Sequence, residues 1–514
     1  MDTKKETYSQ NNRRIAKNTM MLYIRMLLIM GVTLYTSRVV LNQLGVEDYG
    51  IYNVVGGIVV MFSFFNGAMA QSTQRFLSFE LGKRNEAKLQ QTFSTAMIIH
   101  ILIGIFIIVL AETVGLWFLN TRMTIPSDRL IASNWVYQCS IAAFVISIVR
   151  VPYNAAIIAH EEMQVYAYIG IVEVLLKLFI AFSLSWVTVD KLKIYSILIL
   201  CVSLLVTMLY RLYCRHCFKE CHFKYIYERS LLLSMSRYAA WSIFGSLAWI
   251  GKSQGCNIIL NLFLGPTINA AYGFANQVNT ALNSFVQNFT TAVNPQITKR
   301  YASGEYASMY SLVYYGSKTS FFLIFLLSVP LILVTDKILV FWLKSVPDYT
   351  VIFTQLVIIN SILESFVYNM GTAIQATGRI KWYQIIVGIT ILLNLPIAFF
   401  LLKYGFPPYV IFIASISLSV ITLLERLFIM RIVLPDFSII QFCKNVFVPS
   451  FWVSMVVLIL LLCIDKLIDI SSYNFIVVIV FVLLLVGVIE LALGFNKTER
   501  TSLFNMVKSR LKKW

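Results

Sequence analysis

Long apolar stretches recur along the whole chain and are separated by short polar segments. An apolar stretch of about twenty residues has the length that an α-helix needs to cross a bilayer. Hydrocarbon offers no other partner to the backbone amides, so such stretches are expected to be helical. They lie at 18–41, 51–74, 92–114, 131–154, 165–187, 194–213, 238–264, 270–293, 314–334, 350–374, 383–402, 409–430, 446–465 and 474–494. The pattern predicts an all-α polytopic membrane protein with about 14 transmembrane helices.

One polar segment and its apolar flanks occur twice. The sequence LNQLGVEDYG at 41–50 returns in altered form as LNLFLGPTINAAYG at 260–273. The separations are 219 for Leu41 and Leu260, 220 for Gly45 and Gly265, 223 for Gly50 and Gly273, and 222 for Gly82 and Gly304. Chance is the alternative, because these are common residue pairs. Near-constant spacing favours a duplicated membrane unit, as in transporters built from two halves.

The repeat predicts the domain organisation. Residues 1–213 form an N-terminal lobe of six helices, 214–237 a cytoplasmic linker, and 238–430 a second six-helix lobe. An offset of six helices is even, so the two lobes would be a parallel repeat. Residues 431–514 add two C-terminal helices and, from Glu499 to Trp514, an interfacial amphipathic helix with lysines on its polar side.

The positive charges predict the orientation. Of the 42 Lys and Arg residues, 30 lie in or beside alternate loops and both termini, 8 lie in the opposite loops, and the remaining four lie within spans. The positive-inside rule therefore places both termini in the cytoplasm. The net charge of +18 indicates contact with anionic membrane lipids rather than with nucleic acid, because the basic residues flank apolar spans.

Three cations within the spans are candidate substrate-binding residues, because a charge in hydrocarbon usually faces a cavity or a partner. Arg25 and Arg38 lie on the first predicted helix, which carries no acid, and both are expected to face one lumen at different depths. For Arg38, the alternative is that its side chain extends to the outer interface. Lys252 lies on the seventh predicted helix among Gly245, Gly251 and Gly255, which would let the helix bend or a neighbouring helix approach closely.

Two acids lie within spans. Glu173 is four residues from Lys177, so this pair is expected to be structural. Glu364 has no such neighbour on its helix. It must therefore be protonated, paired with a cation on another helix, or in contact with a water-filled channel.

A polar stripe follows most of the eighth predicted helix at spacings of three and four residues. Its members are Asn276, Asn279, Asn283, Gln287, Thr291 and Asn294. Such a stripe can hold helices together by hydrogen bonds, or it can line a site for a hydroxyl-rich ligand. Both alternatives remain open at this stage. Asn276, Asn279, Asn283 and Gln287 join the candidate substrate-binding residues, together with Glu364.

No catalytic or cofactor motif is evident. Cys214, Cys217 and Cys221 have a spacing that also marks one face of a helix, and no second ligand pair with zinc-finger spacing occurs. No metal, cofactor or nucleotide-binding loop is therefore predicted. The loops are too short for a catalytic domain, which argues against a membrane glycan polymerase or ligase. A transporter, not an enzyme, is expected.

Three segments resemble a known family. They are NNRRIAKNTMMLYIRMLLIMGVTLYTSRVVLNQLGVEDYGIYNVV, QRFLSFELGKRNE and AYGFANQVNTALNSFVQNFTTAVNPQITKRYASGE. They resemble the O-antigen type polysaccharide flippases of the multidrug/oligosaccharidyl-lipid/polysaccharide (MOP) exporter superfamily. The resemblance implies two lobes around a cavity, alternating access, and transfer of undecaprenyl-diphosphate-linked oligosaccharide to the outer leaflet of the bacterial plasma membrane. It also implies polysaccharide assembly proteins as partners, and cationic cavity residues that fit Arg25 and Lys252.

Charge ranks the relatives within this superfamily. Exporters of drugs and other cations would be expected to carry a carboxylate in the first lobe, but the first, second and fourth predicted helices have no acid at mid-span. An anionic substrate fits better. A lipid II-type flippase, which also moves a diphosphate, is the close alternative, and an ion-coupled multidrug exporter is the other.

Overall fold

A computed structural model describes residues 2–60, 63–121, 125–224, 228–344, 346–434, 436–468, 474–496 and 499–501. In these residues the secondary structure is helical. The helices are α1 (Asp2–Val60), α2 (Ser63–Lys83), α3 (Glu86–Leu110), α4 (Leu116–Thr121), α5 (Leu130–Ala159), α6 (Met163–Ser183), α7 (Lys191–Cys217), α8 (Arg229–Leu264), α9 (Pro266–Ala302), α10 (Tyr306–Leu333), α11 (Thr335–Leu343), α12 (Thr350–Ser365), α13 (Val367–Ala376), α14 (Lys381–Leu392), α15 (Asn394–Lys403), α16 (Val410–Val433), α17 (Ile439–Phe442), α18 (Val448–Ile468) and α19 (Phe475–Ile489).

The predicted all-α polytopic membrane fold is confirmed. The predicted apolar stretches coincide with helices over nearly all of their described residues, and 11 helical segments of this part are long and apolar enough to cross a membrane. The predicted spans at 51–74, 238–264 and 270–293 are not among these 11, although their described residues are helical. The polar stripe of α9 lies in the last of them, so its helix depends on packing within the protein more than on hydropathy.

Packing divides the chain into two compact units. The N unit comprises Met20–Ser246, and the C unit comprises Met1–Thr19 with Leu247–Trp514. The first half of α8 belongs to the N unit because Met235 and Ala239 pack in one buried cluster with Met69 and Ala96. Helices α1 and α8 therefore each contribute residues to both units. The lobe boundaries at 213 and 238 remain predictions.

The internal repeat is visible in the backbone. Gly45 interrupts α1 with φ +83°, and Gly265 separates α8 from α9 with φ +79°. This conformation is accessible to glycine but strained for other residues, so the two Leu-Gly pairs encode the same turn. A second pair of positive-φ residues, Arg84 and Gly304, follows the ends of α2 and α9. In each pair the two residues are 220 positions apart, which supports the duplication.

This common offset corrects two details of the predicted repeat. Gly82 lies inside α2, so the residue that corresponds to Gly304 is Arg84 rather than Gly82. An offset of 220 also places Gly50 three residues before Gly273, a little less than one helical turn. The two copies therefore have the same number of residues between their two positive-φ positions, although the Tyr-Gly pair lies at a different place in each.

Corresponding positions of the two copies are held differently. In the N unit, Arg129 donates to both carboxylate oxygens of Asp48 and, through Nη1, to Asp190 at 3.4 Å. The position 220 residues after Arg129 is Tyr349, whose ring stacks on Phe353 at 6.0 Å. An ion cluster in the first copy thus corresponds to an aromatic contact in the second.

The last two predicted membrane helices, α18 and α19, pack on α10 in the C unit. Val453 of α18 and Val482 of α19 are fully buried in the same cluster as Phe322 of α10. Lipid tails are as apolar as these side chains, so van der Waals packing holds the helices together. Of the predicted interfacial helix Glu499–Trp514, residues 502–514 lie outside the described residues.

Candidate substrate-binding site

A small polar cavity lies inside the C unit, and helices α8, α9, α12 and α16 form most of its wall. The space open to water-sized groups measures about 70 Å³. That volume holds several water molecules or one compact charged group, but no oligosaccharide. Its lining residues are Trp249, Lys252, Ser253, Cys256, Tyr272, Asn276, Asn279, Val357, Asn360, Glu364, Asn394, Ile411, Phe412 and Ser415.

Lys252 and Glu364, predicted from separate helices, line this same cavity. Both side chains are half-buried, and in the described part of the chain no ion pair joins them. Glu364 Oε1 instead accepts a hydrogen bond of 2.9 Å from Asn360 Nδ2. Asn360 Oδ1 in turn accepts from Ser419 Oγ at 2.8 Å. The acid is therefore held by a neutral amide, which leaves the Lys252 ammonium available to an anion.

The polar stripe of α9 divides between the two predicted alternatives. Asn276 and Asn279 line the cavity. Asn279 Oδ1 accepts from Ser361 Oγ at 2.5 Å and from Asn283 Nδ2 at 2.6 Å, so its carbonyl is already engaged. The amide nitrogen of Asn279 is the group that remains for a ligand.

The rest of the stripe has other roles. Asn283 Oδ1 accepts from the Tyr368 hydroxyl at 2.9 Å, and Asn294 Oδ1 accepts from Thr372 Oγ1 at 2.8 Å. These bonds join α9 to α13, so Asn283 and Asn294 hold helices together. The Gln287 side chain is exposed. Asn283 and Gln287, both predicted to bind substrate, are therefore not among the residues that line the cavity.

Two glycines of α8 allow close helix packing beside Lys252, as predicted. A Cβ atom on Gly255 would lie 2.5 Å from Leu395 Cδ2, and one on Gly251 would lie 3.3 Å from Leu392 Cδ2. Small residues at such crossings let membrane helices pack tightly. They position the face of α8 that carries Lys252.

In the N unit, Arg25 packs against α6. Its guanidinium carbon lies 4.4 Å from the centroid of the Tyr166 ring, a cation–π contact. A Cβ atom on Gly170 would lie 2.6 Å from Arg25 Nε, so the glycine provides the space for this side chain. Arg25 Nε is buried and has no hydrogen-bond partner among the described residues. A buried donor atom without a partner on a half-buried guanidinium favours an anionic ligand.

An acid on the same helix α6 is shared by two other cations. Glu173 Oε1 accepts from Lys177 Nζ at 2.7 Å, as predicted, and Glu173 Oε2 accepts from Arg150 Nη1 at 3.3 Å. This carboxylate is therefore neutralised without Arg25. The resulting surplus of positive charge makes this part of the N unit complementary to an anion.

Arg38 does not share this environment. On a helix of 100° per residue, thirteen residues turn Arg38 about 140° away from Arg25, so the two side chains do not share one face of the helix. The Arg38 side chain is exposed, as the interfacial alternative requires.

Several residues of both sites are not found by sequence analysis. Arg150 lies near the end of its predicted span, so the sequence analysis counts it among the basic residues of the cytoplasmic loops and not among the charges within spans. Asn360 and Asn394 are single polar residues in apolar stretches, and this isolation is the only feature of the sequence that could have marked them as site residues. Asn394 Oδ1 accepts from Cys256 Sγ at 3.0 Å, and its Nδ2 is buried without a partner among described groups. Nothing in the sequence distinguishes Tyr166 from the other tyrosines near the ends of the predicted spans.

Two of the three clustered cysteines are enclosed by the protein. Cys214 and Cys221 are buried, whereas Cys217 is exposed. Within the described ranges, no three His, Cys, Asp or Glu side chains converge as metal ligands would.

Comparison with known proteins identifies the family. The model of a family described as polysaccharide biosynthesis protein matches residues 15–301, more than half of the chain. The chain belongs to the polysaccharide biosynthesis protein family. The match covers most of α1 and continues to the end of α9, and it includes both Arg25 and Lys252. No curated protein matches the sequence closely enough to assign it further.

Solved structures show the fold over most of the chain. An outward-facing multidrug resistance MATE family transporter of the MOP superfamily is 12% identical, with a TM-score of 0.70 over 82% of this chain and 98% of that one. A MATE protein in the bent conformation is 13% identical in sequence, with a TM-score of 0.69 over 83% of this chain and 98% of that one. A third structure is a MOP superfamily transporter from Pyrococcus furiosus, which is described as having a binding pocket of reverse polarity. It is 12% identical in sequence, with a TM-score of 0.67 over 82% of this chain and 96% of that one.

These findings confirm the resemblance to polysaccharide flippases of the MOP superfamily. Family and fold together make the chain a multi-pass membrane transporter of the MOP type.

Proposed function

We propose that this transporter moves undecaprenyl-diphosphate-linked oligosaccharide, the repeat unit of a polysaccharide, from the inner to the outer leaflet by alternating access. The observation that carries the proposal is the environment of Arg25. The Arg25 side chain is half-buried, its Nε is buried without a hydrogen-bond partner among the described residues, and the acid on the adjoining helix is engaged by Lys177 and Arg150.

The charge of the substrate explains why such a site is needed. A lipid diphosphate carries about two negative charges, which hydrocarbon disfavours by several kcal/mol each unless fixed positive charge compensates them. Arg25 in the N unit and Lys252 in the C unit are the two fixed charges. Each lies within a helix of its unit, where it can meet a phosphate group.

The C-unit cavity fits one part of this substrate. Its volume of about 70 Å³ matches a single charged group rather than a sugar. We assign Lys252 to a phosphate and the amides of Asn276 and Asn279 to the oxygens around it. Amide groups on one face of a helix also suit sugar hydroxyls.

Two alternatives from the same superfamily are testable. Glu364 in the cavity is the one feature that favours an exporter of cations, as in a multidrug transporter. A lipid II-type flippase would share the cationic sites and differ only in the sugar and peptide carried. Direct assay with each substrate class separates the three.

Deletion of the gene tests the proposal. We expect lipid-linked oligosaccharide to accumulate in the cytoplasmic leaflet, because its synthesis continues while its transfer stops. Protection from an externally added glycosidase, measured in spheroplasts, reports the leaflet. Unchanged leaflet distribution together with loss of cation efflux would favour the multidrug alternative. Accumulation of lipid II instead would favour the other.

The proposed location is the bacterial plasma membrane, with both termini in the cytoplasm. Reporter fusions at Gln10 and Lys513 test this orientation. Both should be active with a cytoplasmic reporter and inactive with one that needs export, because 30 of the 42 basic residues lie in or beside the loops and termini that the positive-inside rule assigns to the cytoplasm. A fusion after Lys403, in a predicted outer loop, is the matched control and should give the reverse result. An exported signal at either terminus would contradict the topology.

Anionic membrane lipids are proposed as further partners, because basic residues flank the spans. Polysaccharide assembly proteins are proposed from the family alone. No nucleic acid is expected to bind.

A further inference from the structure

A second, larger pocket lies in the C unit, at the N-terminal end of α10. Its volume is about 500 Å³, in the range of small-molecule sites. The pocket is separate from the cavity around Lys252. Its lining residues are Tyr306, Ala307, Tyr310, Ser311, Tyr314, Tyr315, Lys318, Asp436, Gln441, Asn445, Asn496 and Glu499.

Tyrosines form the wall on the α10 side. Tyr306, Tyr310 and Tyr314 follow one another at spacings of four, so they share one face of the helix. Phe437 lies 5.7 Å from the Tyr310 ring, and Phe442 lies 5.8 Å from the Tyr314 ring, which fixes these rings in position. The Tyr314 hydroxyl is buried and finds no hydrogen-bond partner in the described part of the protein.

A buried ion pair forms the floor. Lys318 Nζ donates to Glu499 Oε2 at 2.7 Å, and the lysine side chain is only 3% exposed. The backbone N–H of Asn496 donates to the same oxygen at 2.7 Å, which holds the carboxylate in place. An ammonium has three N–H donors. Among described groups, Glu499 accepts from one N–H of the Lys318 ammonium, so two N–H donors remain for a ligand.

A carboxylate without an ion-pair partner lies at the mouth. Asp436 is exposed, and no cation among the described side chains lies within ion-pair distance of it. Its backbone has φ +58°, a left-handed conformation that aspartate adopts more readily than most residues other than glycine.

The pocket lies at the membrane interface. Its residues come from the first half of the apolar span Tyr306–Leu333, from the start of the span Ile439–Lys466, or from the residues just outside that span and the span Phe475–Gly494. Tyrosines are enriched at the level of lipid headgroups. Lys318 lies furthest along α10 toward the apolar part, and Asp436 lies outside the spans.

We propose that this pocket binds the headgroup of a zwitterionic aminophospholipid, phosphoethanolamine. The ammonium contacts the tyrosine faces and Asp436 at the mouth, and the phosphate, which is nearer the acyl chains, accepts from Lys318. Aromatic rings with a nearby carboxylate attract ammonium groups. An anionic headgroup would meet two carboxylates and one cation, so it fits less well. This lipid is not the transported substrate, and the inference does not depend on the proposed function.

Lipid binding to the purified full-length protein tests the inference. Native mass spectrometry measures the affinity for phosphatidylethanolamine and phosphatidylglycerol of the same acyl chains in detergent. We expect the wild-type protein to prefer phosphatidylethanolamine about tenfold, the size of a partly desolvated cation–π and charge contact. Asp436→Asn should reduce this preference to about threefold or less. The matched control Asp336→Asn, an acid of α11 outside the pocket, should leave it unchanged.

The phosphate contact has its own variant. Lys318→Met combined with Glu499→Gln removes both charges, so no buried charge is left unpaired. We expect the double variant to bind phosphatidylethanolamine about tenfold more weakly while its elution and thermal unfolding remain those of the wild type. If the double variant fails to fold, Asp436→Asn is the deciding test.

Three results would overturn the inference. Equal affinity for the two lipids, or an unchanged preference in Asp436→Asn, would exclude recognition of the ammonium. Soluble phosphoethanolamine that binds as tightly as the lipid would make this a site for a soluble metabolite. Displacement of the lipid by a free disaccharide would make it a sugar site.

Discussion

Arg25→Ala is expected to abolish translocation of the lipid-linked oligosaccharide while the protein still accumulates in the membrane. Arg25 Nε is buried with no described partner, and removal of a partly desolvated charge that pairs with a ligand weakens binding by about 2 kcal/mol, roughly 30-fold. Initial rates in proteoliposomes loaded with lipid-linked oligosaccharide measure the loss. Arg25→Lys should retain part of the activity, because the charge remains but the bidentate geometry does not.

Gly170→Ala tests the position of Arg25 without removing its charge. The new Cβ atom would lie 2.6 Å from Arg25 Nε, so the guanidinium must move away from Tyr166. We expect a reduced rate in the same assay. Gly67→Ala is the matched control: this helical glycine of the N unit has no described atom near its Cβ position, and alanine favours a helix. Normal transport by both Arg25→Ala and Gly170→Ala would contradict the role of this site.

Lys252→Ala is expected to have the second large effect. Loss of the ammonium leaves the C-unit cavity with Glu364 as its only charged lining residue among those described, so an anionic phosphate would be repelled. We expect loss of transport comparable to Arg25→Ala, and partial function in Lys252→Arg because the charge survives. Lys403→Ala, which removes an exposed lysine at the end of α15, controls for loss of positive charge alone.

Glu364→Gln distinguishes between the transporter classes. A flippase of an anionic lipid should retain transport or bind its substrate more tightly when this negative charge is removed. An exporter of cations should lose activity, because its carboxylate would be the binding group. The same proteoliposomes, assayed with lipid-linked oligosaccharide and with an organic cation, decide between them. Full activity of Lys252→Ala with loss in Glu364→Gln would overturn the proposed function.

The fold is predictable because the bilayer leaves few choices. Apolar runs such as 474–494 must be helical in hydrocarbon, and α19 occupies most of this stretch. The polar span at 270–293 is found by its length and its place in the repeat, although its composition alone does not mark it as a membrane helix. The repeat is also readable, because Gly45 and Gly265 adopt a conformation that other residues resist.

The register of the repeat needs the backbone. Gly82 and Gly304 look equivalent in sequence, yet Arg84 adopts the positive φ that corresponds to Gly304. An arginine can take this conformation at a cost in strain, so residue type alone does not locate the turn.

The sequence by itself determined the transporter class, the number and order of apolar segments, and the cations Arg25 and Lys252 within them. A charge in hydrocarbon is costly wherever it lies, so a span residue such as Arg25 that has no acid on its own helix is a candidate for function before its contacts are known. Tertiary structure alone decided which polar groups meet. Asn279 and Asn283 are one turn apart on α9, but only packing against α12 and α13 makes the first a cavity residue and the second a link to Tyr368. Side-chain periodicity defines a helix face; the neighbouring helices define what that face contacts.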